Sequence, residues 1–236
     1  MDLIESNNNI INRHPWELSR LDILTKEIKK YHSKGLILDI GCGDSFFDKN
    51  LLKKNINVKR IYGIDIFLYK KIDICGYYVV NDYSKLNNKK FDTILMFDVL
   101  EHIPNDELFL KETVDKLLKK DGKIIMTIPA HQFLYSRHDK YLKHYRRYNI
   151  KMIRELCKKT NYRIVNYHYF YFSLFLFRLF FRDKRNEVNN WKYKESSFIT
   201  IMIRSILNLD YKICKTFSNV LTGLSLFVVL EKDIKQ

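Results

Sequence analysis

The residues best placed to do chemistry are four aspartates and two glycines. Asp39, Asp65, Asp82 and Asp98 each lie in or just after a short apolar run, at residues 36–40, 60–66, 77–80 and 91–97. Gly41-Cys42-Gly43 follows the first run at once. Glycines in such a loop let backbone amides approach a ligand closely. A carboxylate closing the second strand of a parallel sheet can accept both hydroxyls of a ribose, and one after the third can take an exocyclic amine. Four acids along one crevice suit a ligand that lacks phosphates and carries positive charge. The dinucleotide fingerprint requires a third glycine three residues after the second, and position 46 is Phe, which weakens a nicotinamide-cofactor reading.

Positioning those acids requires strands that alternate with helices. Pro15 opens a helical pattern carried by Trp16, Leu18, Leu21, Ile23, Leu24 and Ile28, which Gly35 ends. Residues 46–55 read as the next helix and 106–119 as an amphipathic one. Lys120-Asp121-Gly122 is read as a turn into a fifth strand at 123–128. Asn149 caps a helix over 149–159, a sixth strand covers 163–171, and a last apolar strand covers 224–230. This alternation predicts a parallel sheet covered on both faces.

Five ordered segments now resemble one family. Leu38 to Gly43, Gly63-Ile64-Asp65, Asn81-Asp82-Tyr83, Phe91 to Ile94 with Asp98 to His102, and Leu117 to Lys123 are similar to the motifs of class I, Rossmann-like S-adenosylmethionine-dependent methyltransferases. The resemblance covers about residues 16–170 and the last strand. It implies an α/β fold, a doubly wound seven-stranded sheet with an antiparallel last strand and a helical insertion before it. Residues 1–15 are then a polar arm and 16–236 one domain, with 172–221 as the insertion or lid. The implied cofactor is S-adenosylmethionine, held by Asp39, Gly41, Cys42, Gly43, Asp65, Ile66, Asp82, Tyr83, Phe97 and Asp98. Ser45 stands where the family loop usually has a third glycine.

Methyl transfer from a sulfonium is an in-line displacement with a neutral leaving group. It needs alignment and a dry pocket, and it needs a base only when the acceptor carries a proton. His102, in the turn after the fourth strand, and His144 are the catalytic candidates; His131 and His138 are further bases to consider. His144-Tyr145-Arg146-Arg147-Tyr148 resembles a run found in a sub-group of bacterial methyltransferases, many of them linked to cell-surface glycan or lipid pathways. His138, Asp139, Arg146, Arg147 and Tyr148 are therefore expected to bind the acceptor, with the two arginines clamping a phosphate or carboxylate. The expected acceptor is a small-molecule, lipid-linked or glycan-type one. No metal is expected, because His138 and His144 lack a recognised ligand spacing and Cys42 sits in the glycine loop.

Composition leaves partners open. The 236 residues carry a formal charge of +15, which suits an anionic membrane or nucleic acid as well as a solvated surface. Residues 167–181 are almost all aromatic or aliphatic, too short to span a bilayer, and Arg182, Lys184 and Arg185 follow. Four scattered cysteines fit a reducing cytosol, and the polar start is no secretory signal. The expected location is cytoplasmic, with peripheral contact at a membrane. An RNA-directed methyltransferase stays open, although Asp98-Val99-Leu100-Glu101 is not the Pro-Pro turn of base amino-methylation and no Cys follows a Pro. A catalytically inactive membrane-associated module with the same fold is the other alternative.

Overall fold

The architecture comes from a computed structural model that describes residues 13–233 apart from 55, 67–71, 75, 87, 181–196 and 219. Most of the expected N-terminal arm, the polar stretch at 183–196 and the basic flank Arg182, Lys184 and Arg185 lie outside the described residues.

Helix α1 (Pro15–Tyr31) begins where Pro15 predicts. The His14 ring accepts the Trp16 amide at 3.1 Å while Glu17 reaches back to the His14 amide at 3.2 Å. It stops at Tyr31, short of Gly35, and Gly35 instead opens strand β1 (Gly35–Ile40). Helix α2 (Phe46–Leu52) and strand β2 (Val58–Ile64) follow, then β3 (Ile72–Ile74), β4 (Tyr77–Val80) and β5 (Phe91–Phe97). The charged helix expected over 106–119 is built as α3 (Asp106–Leu108), a π-helical stretch Phe109–Val114, and α4 (Asp115–Leu117). Strand β6 (Leu118–Pro129) starts directly afterwards. The expected turn at residues 120–122 is a bulge inside that strand: Phe91 pairs with Leu118, and regular pairing resumes at Thr93 with Lys123. Helices α5 (Arg137–Tyr141) and α6 (Ile150–Thr160) lead to β7 (Tyr162–Phe170), and α7 (Phe172–Phe180) and α8 (Phe198–Thr216) precede β8 (Ser225–Lys232). Asn149 caps α6 as expected, its side chain accepting the Met152 amide at 3.0 Å.

The strands form one sheet in the order β3-β4-β2-β1-β5-β6-β8-β7. The central strands are parallel, and β8 runs antiparallel between β6 and β7. This is the expected doubly wound fold with a reversed last strand, extended by one short strand, β3, that pairs antiparallel with β4. Three residues are too few to show a period, so the pattern could not announce β3.

One face of the sheet packs Leu38, Ile94, Met96, Ile124 and Val228 against α6 and the 106–117 helical run. The other packs Ile37, Leu95, Ile125 and Val229 against α1 and α8. Burying each such side chain contributes about 1.5–3 kcal/mol. Helix α8 is tied to α1 by polar bonds as well: Arg204 grips Asp22 through two nitrogens, both at 2.7 Å, and Tyr211 donates to Glu27 at 2.5 Å. Among the described residues, no helix is long and apolar enough to cross a membrane. Strand order reverses between β1 and β5, which opens a crevice at their carboxyl ends.

Candidate active site

The crevice begins at the glycine loop. Gly41 sits at φ +76, and a β-carbon there would lie 2.7 Å from Val99 Cγ2, so both backbone and space demand glycine. Its amide donates to the Ile64 carbonyl at 2.7 Å, and the Gly43 amide donates to Asp65 Oδ2 at 3.0 Å. Loop and second-strand acid are thereby held as one unit. Ser45, at φ 66, takes a left-handed backbone and leads straight into α2.

Ile66 and Asp82 are exposed beyond Asp65, with Ile66 at 70%. Asp82 accepts the Ser84 amide at 2.9 Å, and that bond lowers its pKa. Tyr83 is half-buried, its hydroxyl pushed up to about 12 by burial and by the charge of Asp65. These groups form an open rim with one apolar contact, two acids and an aromatic ring.

A narrow cleft of about 60 Å³ lies on the other side of the loop, lined by Arg13, Trp16, Arg20, Asp39, Gly41 and Asp98 among others. Phe97 reaches into it and packs edge-on against Phe47 at 5.1 Å. Asp98 takes a left-handed backbone at φ 56. Its carboxylate accepts Arg20 Nη2 at 2.7 Å and Thr127 Oγ1 at 3.2 Å. Arg20 also donates to Thr127 Oγ1 at 2.6 Å and lies over the Trp16 ring at 4.6 Å. Arg13 pairs with Asp44 and lies over Phe46 at 4.1 Å. Sequence reasoning missed both arginines. Their signal was present: Arg13 with Glu17, and Trp16 with Arg20, are i,i+4 pairs straddling the start of a helix that otherwise reads as apolar packing.

After β5 stands a second group, made of side chains locked into one another. His102 and His144 meet edge-on, ring centroids 4.6 Å apart. His144 Nδ1 lies 3.0 Å from Asp139 Oδ1, and Arg147 closes on the same carboxylate with Nε at 2.7 Å and Nη2 at 3.1 Å. The Ser136 amide adds a bond at 2.9 Å. Burial alone would raise the Asp139 carboxyl, but the bonds from His144 and Arg147 outweigh it and hold the group far below the usual range. His138, exposed nearby, is lowered by partial desolvation of its ring and by the charge of Arg178.

The two arginines expected to clamp an acceptor are directed instead at the protein's own acids. Arg147 is 5% exposed and its fork is filled by Asp139. Arg146 bonds Asp106 Oδ2 at 3.0 Å and the Pro104 carbonyl at 2.6 Å. Tyr148 is buried, its hydroxyl donating to Asp106 Oδ2 at 2.7 Å. Arg146 and Tyr148 tie the 136–148 segment to the residues after β5, while Arg147 and Asp139 bind that segment to itself. The fold also brings together what linear spacing hid. Glu101, His102 and His144 present one donor atom each within 4.8 Å, a set whose chemistry suits a divalent cation as well as proton transfer. Glu101 is fully buried with neither carboxylate oxygen bonded, and burial and then Asp98 push its pKa well up.

Comparison with known proteins agrees with this geometry. Residues 17–167 match a family described as a methyltransferase domain. A ubiquinone biosynthesis O-methyltransferase of Rickettsia bellii is 28% identical over 123 residues, 46% of this chain and 50% of that protein. The Pelagibacter ubique protein of the same description is 35% identical over 98 residues, 36% of this chain and 38% of its own length. The chain thus spans half or less of the curated relatives it matches. Among solved structures, coclaurine N-methyltransferase bound to N-methylheliamine and SAH superposes with a TM-score of 0.57 at 16% identity, over 97% of this chain and 77% of that one. A SAM-dependent methyltransferase from Archaeoglobus fulgidus gives 0.51 at 18% identity, over 92% and 96%. Both likenesses bear on the fold. The family match runs through the glycine loop, all four strand-end acids and the His144 segment, and the chain belongs to that methyltransferase family.

Proposed function

We propose that the chain transfers a methyl group from S-adenosylmethionine to a hydroxyl on an apolar small molecule or lipid-linked acceptor. The observation that carries this reading is the His102–His144–Asp139 array, which gathers with Glu101 in the turn after β5. Asp65 receives the ribose hydroxyls of the donor, while Asp82, Tyr83 and Ile66 receive the adenine. The methionine end is zwitterionic, and the cleft lining matches it with Asp39 for the ammonium and Arg13 or Arg20 for the carboxylate.

That placement leaves the sulfonium methyl directed past Phe97 and Asp98 toward the histidines. An incoming hydroxyl must lose its proton as the carbon–oxygen bond forms. His144 takes it, held in orientation by Asp139 at 3.0 Å. The logic is that of a base aligned by a buried carboxylate, with Arg147 keeping that carboxylate ionised.

The lipid side of the reading is supported by α7 and α8. Phe177, Phe180, Phe198, Ile201, Ile206 and Leu209 are all exposed, Phe198 at 79%. Large exposed apolar patches of this kind mark surfaces for other apolar matter. The named relatives, which act in ubiquinone biosynthesis by their description, support a small-molecule oxygen acceptor.

The test is methyl transfer from labelled donor into phenolic and lipid extracts, comparing wild type with His144→Ala. Label entering a hydroxyl in the wild type alone is expected. Label passing equally well in the variant would exclude His144 as the base. Flotation with anionic liposomes tests the surface: retention that survives high salt is expected, and a wholly soluble protein would count against it.

A further inference from the structure

Helix α7 is held by its two ends more than by its face. Of its nine residues only Phe175 is buried, with its ring 5.4 Å from that of His131 and 6.3 Å from that of Phe133. Phe177, Leu179 and Phe180 are 44%, 42% and 75% exposed. At its start, Asp210 of α8 accepts the Phe172 amide at 3.2 Å and the Ser173 amide at 3.0 Å. The residue before it, Tyr171, takes a left-handed backbone at φ 65, which a bulky aromatic side chain rarely adopts. Its buried ring holds that root in place, the hydroxyl donating to Ser19 Oγ at 3.1 Å.

The second clamp is Arg178, whose Nη2 donates to Ser136 Oγ at 2.5 Å. Ser136 is the residue that secures Asp139: its hydroxyl donates to Oδ2 at 3.1 Å and its amide donates to the same oxygen at 2.9 Å. The other carboxylate oxygen, Oδ1, lies 3.0 Å from His144 Nδ1. A guanidinium on Oγ takes up a lone pair and leaves the hydroxyl hydrogen for Asp139. The bond is charge-assisted, and bonds in such a chain polarise and strengthen one another. Arg147 grips the same carboxylate from within the 136–148 segment, whereas Arg178 reaches it from another element. The His138 ring, lowered in pKa first by desolvation, is lowered further by the Arg178 charge, so that charge acts on the same group of side chains.

We infer that Arg178 is a positioning residue for His144: from α7 it fixes the Ser136 hydroxyl on Asp139, so the histidine is aligned only while α7 is seated. The inference rests on His144 being the base, as proposed above. The helix that offers Phe177, Leu179 and Phe180 to the apolar part of an acceptor is then also the helix that readies the base.

Proton spectra of the free protein read the alignment without turnover, through the Nδ1 proton of His144, assigned by its loss in His144→Ala. A ring proton bonded to a buried carboxylate resonates far downfield and is protected from exchange with water. The wild type is expected to show it, and so is Arg178→Lys, which keeps a cationic donor. Arg178→Ala and Ser136→Ala are expected to lose it to exchange with unchanged circular dichroism. Asp210→Ala, which releases the other end of α7, is expected to speed that exchange. Label transfer from S-adenosylmethionine into phenolic and lipid extracts should fall about tenfold in Arg178→Ala and in Ser136→Ala, and no further in the double variant, while Arg178→Lys stays within about threefold of wild type. A protected proton in Arg178→Ala, additive losses in the double variant, or a wild type without the proton overturns the inference. Full turnover in His144→Ala overturns the base reading instead, and the proton spectra still report whether Arg178 orients the ring.

Discussion

The loop after β1 and the side-chain cluster after β5 are built by different means. At the β1–β2 end the ligand-facing atoms are backbone and lone acids: Gly41, Gly43 and Asp65 are joined by bonds of 2.7 and 3.0 Å within two adjacent strand ends. At the β5–β6 end the work falls to side chains that hold each other. Asp139, His144 and Arg147 share one carboxylate, and Arg146 and Tyr148 share another, that of Asp106. The first end tolerates almost no change of backbone yet leaves its acids accessible. The second fixes side chains through buried charge and leaves the backbone ordinary. A donor that is always the same suits the first; an acceptor that varies between related enzymes suits the second, where a new set of side chains means a new pocket.

That contrast is open to attack from both sides, and the sharpest blow is at the loop. Gly41→Ala combines a left-handed backbone with a clash against Val99, and loss of all measurable cofactor binding is expected by calorimetry; binding within about tenfold of wild type would show that the loop is not the rigid part. At the other end, His144→Ala is expected to lower kcat by about a hundredfold to ten-thousandfold while cofactor affinity stays put, read by single-turnover kinetics. Arg147→Ala removes one partner of a buried pair and should cost about 3–5 kcal/mol in denaturant melts before any effect on turnover is considered. The acid whose pKa is depressed here, Asp139, stabilises the fold above the ordinary carboxylate range and loses that contribution as pH falls below about 4, so Asp139→Asn should flatten the acid limb of a stability profile.

Smaller effects lie between the ends. Arg20→Ala removes a charge-assisted bond worth about 1.5–3 kcal/mol, so cofactor affinity should fall about tenfold to a hundredfold. Asp82→Asn, on the exposed rim, should change affinity by less than about tenfold, since water already competes for that carboxylate. A larger loss at Asp82 than at Arg20 would reverse the assignment of the strongly held part of the cofactor.

The same contrast explains what could be read from the sequence. Gly41, Asp65 and Asp98 were legible because each sits at the end of a strand whose apolar run is visible, and strand ends in such a sheet fall along one line. The reversed last strand was implied by the family resemblance, and the strand order came from the structure. Arg20 was not legible, because a helix face declares its period but not what stands opposite. The partners of Arg146 and Arg147 were not legible for a related reason. Two adjacent arginines look like an anion clamp until Asp106 and Asp139, distant in sequence or masked by a helix, are seen to have filled them. The Glu101–His102–His144 grouping joins residues some forty positions apart, beyond any spacing rule for metal ligands.

Strand β8 has a consequence for how the molecule is made. Its residues 225–230 lie buried between β6 and β7, and β7 pairs with no other strand among those described. While the ribosome is still extending the chain, β6 therefore carries an open edge next to the emerging histidine cluster, and β7 has nothing to zip onto. Such long-range pairing is slow and exposes unpaired edges to other chains. The glycine-loop half can settle early in synthesis, whereas the sheet beside the histidine cluster waits for β8 to be translated before it closes.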